Sequence, residues 1–156
     1  MNSISILVIH GPNLNLLGRR EATIYGATDL VGINQQIEVL AMELGVSVVE
    51  YFQSNYEGEI VERIQKCLDT PVKGILINPA ALGHTSISIR DALKAVDLPF
   101  VEVHISNTFA REEFRHKTFL SDIASGVVIG FGANSYRLGL RGLVDRLLTQ
   151  PLDTQS

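Results

Sequence analysis

The stretch from Phe100 to Arg115 combines an acidic side chain, a histidine and a cationic segment. Its first residues, 100–105, form an apolar run with two polar interruptions, Glu102 and His104. Because side chains alternate between the two faces of a strand, these two side chains lie next to each other on one face. A carboxylate that accepts a hydrogen bond from one ring nitrogen fixes the tautomer of the imidazole and raises its basicity. The pair therefore suits a proton donor, although a core histidine tied to a neighbouring glutamate would give the same pattern.

An anion site is expected directly after this strand. Ile105 and Ser106 lie at the end of the expected strand, where their backbone N–H groups need not pair with a neighbouring strand. Such free N–H groups can bind an anion. Arg111 and Arg115 are four residues apart and would share one cationic face if this run were helical. The pattern thus predicts an anion site beside a proton donor, and two solvated arginines are the alternative.

Five short runs rich in valine and isoleucine predict the strands that would position these groups: 4–9, 46–52, 72–77, 100–105 and 127–131. Most of these runs are nearly continuous rather than alternating, which is typical of strands buried on both faces. Segments with helical spacing of apolar residues lie between the runs and after the last one. Repeated alternation of strand and helix predicts an α/β fold, with a parallel sheet covered by helices on both faces.

The expected helices have recognisable ends. Thr28 or Asp29 is the expected N-cap of the first helix, because a short polar side chain can accept a hydrogen bond from the free N–H groups of the first turn. Gly45 is expected to end this helix. Ser86 is expected to cap a later helix, and Ser135 is expected to open the last one.

The loops that follow the strands carry most of the polar and cationic residues, at the edge where ligands bind in sheets of this kind. The first loop, residues 10–26, is long and rich in glycine, so it could close over a ligand as a lid. It contains Asn13, Arg20 and Tyr25. Because it matches neither the dinucleotide fingerprint nor the phosphate loop, nucleotide binding is not expected. A mobile surface segment without function is the alternative.

The third loop contributes Asn78 and His84, at the expected beginning of a helix whose free N–H groups suit an anion or a ligand rich in hydroxyl groups. A metal ion bound by His10, His84 and His104 is an alternative. We expect no metal, because these loops lack close ligand spacing and Glu102 already has a histidine partner.

Length and composition limit the possible classes of protein. The chain has 156 residues, which predicts one catalytic domain over residues 1–150 and a polar tail over 151–156. A net charge of −4 argues against nucleic acid or an anionic membrane as a partner. The single cysteine, Cys67, lies in an expected helix and excludes both an intrachain disulfide and a cysteine zinc cluster. Since there is no leader pattern and no run long enough to span a bilayer, a cytoplasmic location is expected.

Five blocks of sequence occur in a recognisable order: HGPNLNLLGRRE with Tyr25–Gly26, QSNYEG, INPAALGHTS, Arg90–Asp91 and EVHISNTFAREEFR. Over nearly its whole length the chain thereby resembles the type II 3-dehydroquinate dehydratases, or 3-dehydroquinases. It departs from the family pattern at Ala22, where a proline is common, and at Leu82–Gly83, where an aromatic residue and a threonine are common. Neither departure removes a functional group, but Ala22 frees one backbone torsion in the lid.

The resemblance implies a flavodoxin-like fold, which is a three-layer sandwich with a five-stranded parallel sheet. It also implies dehydration of 3-dehydroquinate to 3-dehydroshikimate, by anti elimination through an enolate and with no metal or organic cofactor. The reaction is expected to serve the shikimate pathway of aromatic amino acid biosynthesis, and the quinate pathway is the alternative. Similar proteins assemble as homododecamers, built as tetramers of trimers. A catalytically inactive sensor of small anions with the same fold is the alternative.

The resemblance assigns catalytic roles to particular residues of this chain. Tyr25 would be the base, and Arg20 would be its electrostatic partner. His104, beside Glu102, would be the proton donor. Asn13 would hold a water molecule at the enolate oxygen.

Six further positions would bind the substrate by the same resemblance. Its carboxylate would be held by Asn78 and by the backbone of Ile105 and Ser106. Its ring hydroxyl groups would be held by His84, by Arg115 and, from a neighbouring subunit, by Asp91.

Overall fold

The computed structural model describes residues 3–19 and 28–149, and a parallel sheet of five strands forms its centre. The strands are β1 (Ser5–His10), β2 (Val48–Gln53), β3 (Gly74–Asn78), β4 (Phe100–His104) and β5 (Gly126–Ile129). They are ordered β2-β1-β3-β4-β5, and each adjacent pair is parallel. The predicted five-stranded parallel sheet is confirmed, with strand ends displaced by at most two residues from the expected ones. The tail predicted over 151–156 lies outside the described residues.

Helices cover both faces of the sheet. They are α1 (Leu30–Glu43), α2 (Glu57–Gln65), α3 (Ile87–Val96) and α4 (Asn134–Leu148). Alternate residues of β1 point to opposite layers: Ile6 and Val8 pack in the core under α1 and α4, and Leu7 and Ile9 pack in the core under α2 and α3. The expected three-layer α/β sandwich is thereby confirmed. Within the described ranges, no helix combines the length and the apolar character that crossing a membrane requires.

Two helices begin at the caps that the sequence predicts. Asp29 accepts a hydrogen bond from the backbone N–H of Gly32 at 2.8 Å, and Ser86 accepts one from that of Ile89 at 2.9 Å. Gly45 has a positive φ of 80° just beyond α1, which is the conformation that makes glycine a common helix terminator. The polar side chains therefore satisfy donors that these helices would otherwise leave unpaired.

Two helix expectations need correction. The last helix begins at Asn134, one residue before Ser135, and the Ser135 hydroxyl accepts a hydrogen bond from the backbone N–H of Phe131 at 2.9 Å. This serine therefore ties the helix to the preceding turn instead of opening it. Cys67 lies in the 3₁₀ turn Lys66–Asp69 that follows α2, and it is buried.

The cationic run after β4 is not an α-helix. It forms two short 3₁₀ turns, Thr108–Ala110 and Glu113–Arg115, with extended backbone at Arg111 between them. The side chain of Asn107 accepts a hydrogen bond from the N–H two residues later and so competes with helix formation. Since the two arginines do not belong to one helix, the expected shared helical face is wrong.

Gly11 brings the end of β1 against the loop that follows β3. Its backbone N–H donates to the carbonyl of Asn78 at 2.8 Å. A Cβ atom at this position would lie 2.3 Å from the carbonyl oxygen of Pro79, which is well inside the contact distance of the two atoms. Only glycine allows this approach. The strand order reverses between β1 and β3, so Gly11 fixes the spacing of the two loops at the place where ligands bind in such sheets.

We expect the substitution Gly11→Ala to lower the free energy of unfolding by about 2–3 kcal/mol, because the new methyl group must displace backbone atoms. Urea denaturation measures this change. The matched control is Gly58→Ala in α2, where an added Cβ meets no atom within 4 Å and alanine favours the helix. Equal stability of the two variants would contradict the close approach at Gly11.

Candidate functional site

A cleft opens at the carboxyl edge of the sheet, between the segments that follow β1, β3 and β4. Its open space, including the mouth, measures about 840 Å³. The lining residues are Pro12, Asn13, Leu14, Leu16 and Leu17 after β1, Asn78, Ala80, Ala81 and His84 from β3 and its loop, and His104, Ile105, Ser106, Thr108, Arg111 and Arg115 from β4 and its loop. Among the predicted site residues, the cleft thus brings together Asn13, Asn78, His84, His104, Ile105, Ser106 and Arg115.

Glu102 and His104 form a buried hydrogen-bonded pair at this cleft. The distance from His104 Nε2 to Glu102 Oε2 is 2.6 Å, and Glu102 is fully buried. Glu102 Oε1 accepts hydrogen bonds from the hydroxyl groups of Ser121 at 2.6 Å and Thr118 at 3.2 Å. Burial acts to raise the pKa of Glu102, but the hydrogen bonds from His104 and the two hydroxyls outweigh it and hold that pKa below its ordinary value. Glu102 is therefore an ionised acceptor for the imidazole.

This contact determines which nitrogen of His104 can serve a ligand. A carboxylate oxygen only accepts hydrogen bonds, so the proton between the two side chains belongs to Nε2. Nδ1 is then the ring nitrogen available to the cleft that His104 lines. Its position suits proton transfer to a bound molecule.

His84 presents a second imidazole, stacked on His104 with ring centroids 6.0 Å apart. Its Nδ1 lies 2.7 Å from the carbonyl oxygen of Lys117, and because a carbonyl only accepts, Nδ1 carries the hydrogen. Burial lowers the pKa of His84, and the positive charge of Arg115 acts in the same direction. A neutral His84 leaves Nε2 without a proton, so it can accept a hydrogen bond from a ligand hydroxyl.

Two arginines give the cleft its positive charge, although they belong to separate turns. Arg111 Nη1 donates to Ser106 Oγ at 3.2 Å. Arg115 Nε donates to Glu112 Oε1 at 2.9 Å, and its guanidinium carbon lies 5.1 Å from the centroid of the Phe114 ring. Both arginine side chains also line the cleft, so their charge favours an anionic ligand there.

Two asparagines line the cleft from neighbouring loops. Asn13 has a left-handed backbone with φ of 70°, and its N–H donates to Asn55 Oδ1 at 2.9 Å. Asn78 Oδ1 accepts from the N–H of Ala80 at 3.0 Å, and its Nδ2 donates to the hydroxyl of Tyr136 at 3.0 Å. Hydrogen bonds outside the cleft therefore fix the Asn13 backbone and the Asn78 amide.

Four predicted site residues are not among those that line the cleft, and one of them, Glu102, lies behind His104 as its hydrogen-bond partner. Asp91 lies exposed on α3, and its expected role requires a second subunit. Arg20 and Tyr25 lie outside the described residues, as does Ala22. Their roles therefore stay predictions.

The described beginning of the lid, residues 11–19, is packed against the rest of the molecule. Leu14 and Leu17 are buried in the core, and the 3₁₀ turn Leu14–Leu16 lies between the cleft and α1. This part of the segment is a fixed wall of the cleft.

His10 does not join the other two histidines. Its Nε2 lies 2.8 Å from Asn34 Oδ1 and its Nδ1 lies 2.9 Å from the Tyr136 hydroxyl. The side chain is fully buried, and both of its ring nitrogens are engaged away from the cleft. The alternative metal site thus loses one of its three proposed ligands, His10, to the core.

Sequence reasoning missed the residues that support the cleft from behind. Thr118 and Ser121 hold the carboxylate of Glu102, and Tyr136 connects His10 to the amide of Asn78. None of these contacts follows a strand or helix period, because each joins segments far apart in the chain. A serine and a threonine three residues apart in a short loop were the only local sign.

We expect His10 to make the fold sensitive to acid. Burial lowers its pKa from 6.5 to about 4. The unfolded chain then binds more protons than the folded chain between these two values, so this histidine removes up to about 3 kcal/mol of stability as pH falls through that window. Urea unfolding at several pH values, compared with the variant His10→Asn, measures the effect. An equally steep loss of stability in the variant would show that His10 is not the responsible group.

Comparison with known proteins places these features in a family. The family model described as "Dehydroquinase class II" matches residues 4–144. The chain is 54% identical over 144 residues to a 3-dehydroquinate dehydratase of Prochlorococcus marinus (strain NATL1A), with 92% of this chain and 98% of that one covered. It is 55% identical over 150 residues to a 3-dehydroquinate dehydratase of Acaryochloris marina (strain MBIC 11017), with 96% and 99% covered.

Solved structures agree with this comparison. The type II dehydroquinase from Butyrivibrio crossotus DSM 2876 superposes with a TM-score of 0.87 at 41% identity, over 90% of this chain and 97% of that one. The type II dehydroquinase from Propionibacterium acnes gives a TM-score of 0.85 at 40% identity, over 92% and 99% of the two chains. The likeness therefore extends over almost the whole of each molecule.

Proposed function

The chain belongs to the class II dehydroquinase family and is a lyase that dehydrates 3-dehydroquinate, and we propose that it does so through an enolate, with Tyr25 as base and His104 as acid. The observation that carries this mechanism is the hydrogen bond between His104, the proposed acid, and the buried carboxylate of Glu102. Glu102, fully buried and held by hydroxyl groups, faces His104 Nε2 while Nδ1 stays available to the cleft. Such an arrangement serves proton donation and is not needed for binding alone.

Elimination of water from a β-hydroxy ketone requires three groups. A base removes the proton next to the carbonyl, a donor stabilises the enolate oxygen, and an acid protonates the departing hydroxide. In the proposal Tyr25 takes the proton, and Asn13 holds a water molecule that donates to the enolate oxygen. The enolate then forms the carbon–carbon double bond as the C–O bond breaks, and His104 Nδ1 gives its proton to the leaving oxygen, which departs as water.

The remaining contacts of the cleft would orient the ring. Its carboxylate is assigned to the Asn78 amide and to the backbone of Ile105 and Ser106, at the end of the cleft near the arginines. Neutral His84 and the Arg115 guanidinium are assigned to ring hydroxyl groups, since one accepts and the other donates. Asp91 is assigned to the site of a second subunit.

The base must be ionised to act. An ordinary phenol has a pKa near 10, so only about one molecule in a thousand is ionised at neutral pH, and ionising Tyr25 fully requires roughly 4 kcal/mol. A guanidinium in contact with the phenolate stabilises its negative charge by about 4 kcal/mol at an effective dielectric constant near 20. We therefore assign Arg20 the task of holding Tyr25 deprotonated when the lid closes, and we expect the open state to be inactive.

A lysine Schiff base is the competing route for the same reaction, and the lysine positions disfavour it. Lys66 and Lys94 lie at the ends of helices, and Lys73 lies at the amino end of β3, opposite the cleft. The Lys117 ammonium lies 5.5 Å from the Phe119 ring centroid, and Lys117 does not line the cleft. Borohydride with substrate should therefore cause no inactivation.

The experiment that tests the function is an absorbance assay with 3-dehydroquinate. The product is a conjugated enone and the substrate is not, so turnover appears directly as new ultraviolet absorbance. A chain that binds the substrate without forming the enone would instead be a sensor of small anions, and the proposal would be wrong. Covalent trapping of the substrate on a lysine by borohydride would leave the reaction in place but remove the enolate mechanism.

We further infer that the reaction serves the shikimate pathway of aromatic amino acid biosynthesis, in the cytoplasm and without a metal or organic cofactor. The proposed assembly is a homododecamer. The assignment of Asp91 to a neighbouring site supports an oligomer, because this exposed residue lies outside the cleft of its own chain. Light scattering in solution tests the assembly, and an active monomer would remove the role of Asp91.

A further inference from the structure

A chain of four hydrogen-bonded side chains runs behind the cleft. It begins at Asn34 on α1, passes through His10 and Tyr136, and ends at Asn78 in the cleft wall. The successive contacts measure 2.8, 2.9 and 3.0 Å. His10 and Tyr136 are both fully buried, and the mechanism proposed above uses neither of them.

The direction of every hydrogen bond in this chain follows from its first member. Asn34 Oδ1 only accepts, so His10 Nε2 carries the ring hydrogen and Nδ1 has a free lone pair. The Tyr136 hydroxyl must then donate to Nδ1, and its oxygen is left to accept from Asn78 Nδ2. Burial keeps His10 neutral, with a pKa of about 4, so this direction holds at any pH near neutrality.

The amide of Asn78 is fixed from both ends. Its oxygen accepts from the N–H of Ala80 at 3.0 Å, and its nitrogen donates one hydrogen to Tyr136. A flipped amide would place its NH₂ group against the N–H of Ala80, and two donors repel each other. The second hydrogen on Asn78 Nδ2 therefore stays available to a ligand. In the flipped form an oxygen lone pair would replace it and would repel an anion.

We propose that Tyr136 and His10 are positioning residues that hold the Asn78 amide as a hydrogen-bond donor for the substrate carboxylate. This inference rests on the proposed function, which assigns that carboxylate to Asn78. Packing alone does not require the hydroxyl, because the Tyr136 ring lies in an apolar core where a phenylalanine ring would also fit. The hydroxyl is held there by the hydrogen bonds to His10 and Asn78, which a phenylalanine would leave without their partner.

The test is a double-mutant cycle measured with the enone assay. Tyr136→Phe should lower kcat/KM by about tenfold, mainly by raising KM, since the amide loses the acceptor that orients it. In the background of Asn78→Ala, the same substitution should change kcat/KM by less than about twofold, because the group it orients is already absent. Tyr51→Phe is the matched control: its hydroxyl donates to Glu38 Oε2 at 2.6 Å and lies 3.2 Å from the Asn34 carbonyl, so it makes none of the side-chain contacts of the chain.

Variants at His10 separate the hydrogen bond from packing. Asn supplies a side-chain oxygen that can accept from Tyr136, so His10→Asn should retain kcat/KM within about threefold. His10→Leu fills a similar space without an acceptor and should behave like Tyr136→Phe. Unfolding midpoints of all variants show whether each one is folded under the assay conditions.

Two results would overturn the inference while the proposed function stands. One is a wild-type kcat/KM in Tyr136→Phe, and the other is an equal loss from that substitution with and without Asn78. A wild-type chain that forms no enone from 3-dehydroquinate would instead remove the proposed function and this inference together. The wild-type assay thus distinguishes the two failures.

Discussion

Replacing His104 by asparagine is expected to lower kcat by about 1,000-fold, because it removes the group that protonates the departing hydroxide. Hydroxide is a poor leaving group unless a proton is supplied to it as the C–O bond breaks. Asparagine is a smaller polar side chain that cannot act as an acid. KM should therefore change much less than kcat, since the groups assigned to the ring and its carboxylate remain.

The environment of Glu102 explains the expected size of this effect. Its carboxylate is fully buried and accepts hydrogen bonds from His104, Ser121 and Thr118. The carboxylate accepts the Nε2 hydrogen and so holds the ring with Nδ1 as the nitrogen available to the cleft. Asparagine has no ring nitrogen that could give a proton from this position.

The matched control for that variant is His116→Asn. His116 is exposed, and its Nε2 donates to the carbonyl of Arg111 at 3.1 Å, on the same segment of the chain but away from the proposed acid. Steady-state kinetics of both variants with 3-dehydroquinate, together with urea unfolding, decide the outcome. If His104→Asn retained kcat within about tenfold while folded, the assignment of the acid would be wrong.

Replacing Arg20 by alanine is expected to lower kcat by more than about 100-fold at neutral pH. Arg20 is proposed to favour the phenolate form of Tyr25, and a positive charge lowers the pKa of a phenol. Its removal raises that pKa, so the rise of activity with pH moves to higher pH. The loss should therefore be largest in acid and should shrink in alkaline buffer, as more of the tyrosine ionises.

A full pH profile of kcat for wild type and Arg20→Ala measures this shift. Arg19→Ala is the control, since Arg19 is exposed, directly precedes Arg20 and carries the same charge. It should leave the profile in place. An unchanged profile in Arg20→Ala would remove that residue from the ionisation of Tyr25, even if the overall rate fell.

The sequence was sufficient for features that depend on local periodicity. Alternation along a strand placed Glu102 and His104 side by side, and they are hydrogen bonded at 2.6 Å. Runs of valine and isoleucine located the five strands, and short polar side chains predicted Ser86 as one cap and Thr28 or Asp29 as another, of which the structure has Asp29. In each case the deciding interaction joins residues within a few positions of each other.

The features that could not be predicted depend on tertiary contacts. Ser121 and Glu102 are 19 positions apart in the sequence, and Tyr136 and His10 are 126 apart. Helix and strand periods cannot predict contacts at such separations. The expected helical face of the cationic run was wrong because side-chain and backbone hydrogen bonds there favour two short turns with Arg111 extended between them. Each arginine reaches the cleft nonetheless, since both turns fold back toward it.

The hydroxyl groups of Thr118 and Ser121 act on Glu102 from outside the cleft, since neither residue lines it. The residues that support the proton donor from behind are therefore different from those that shape the cleft. An inhibitor that fills the cleft touches the lining residues, His104 among them, but neither Thr118 nor Ser121. Substitutions at 118 or 121 can thus slow the enzyme while leaving inhibitor binding intact, which makes them a poor route to drug resistance and a useful one for trapping the bound substrate in crystals.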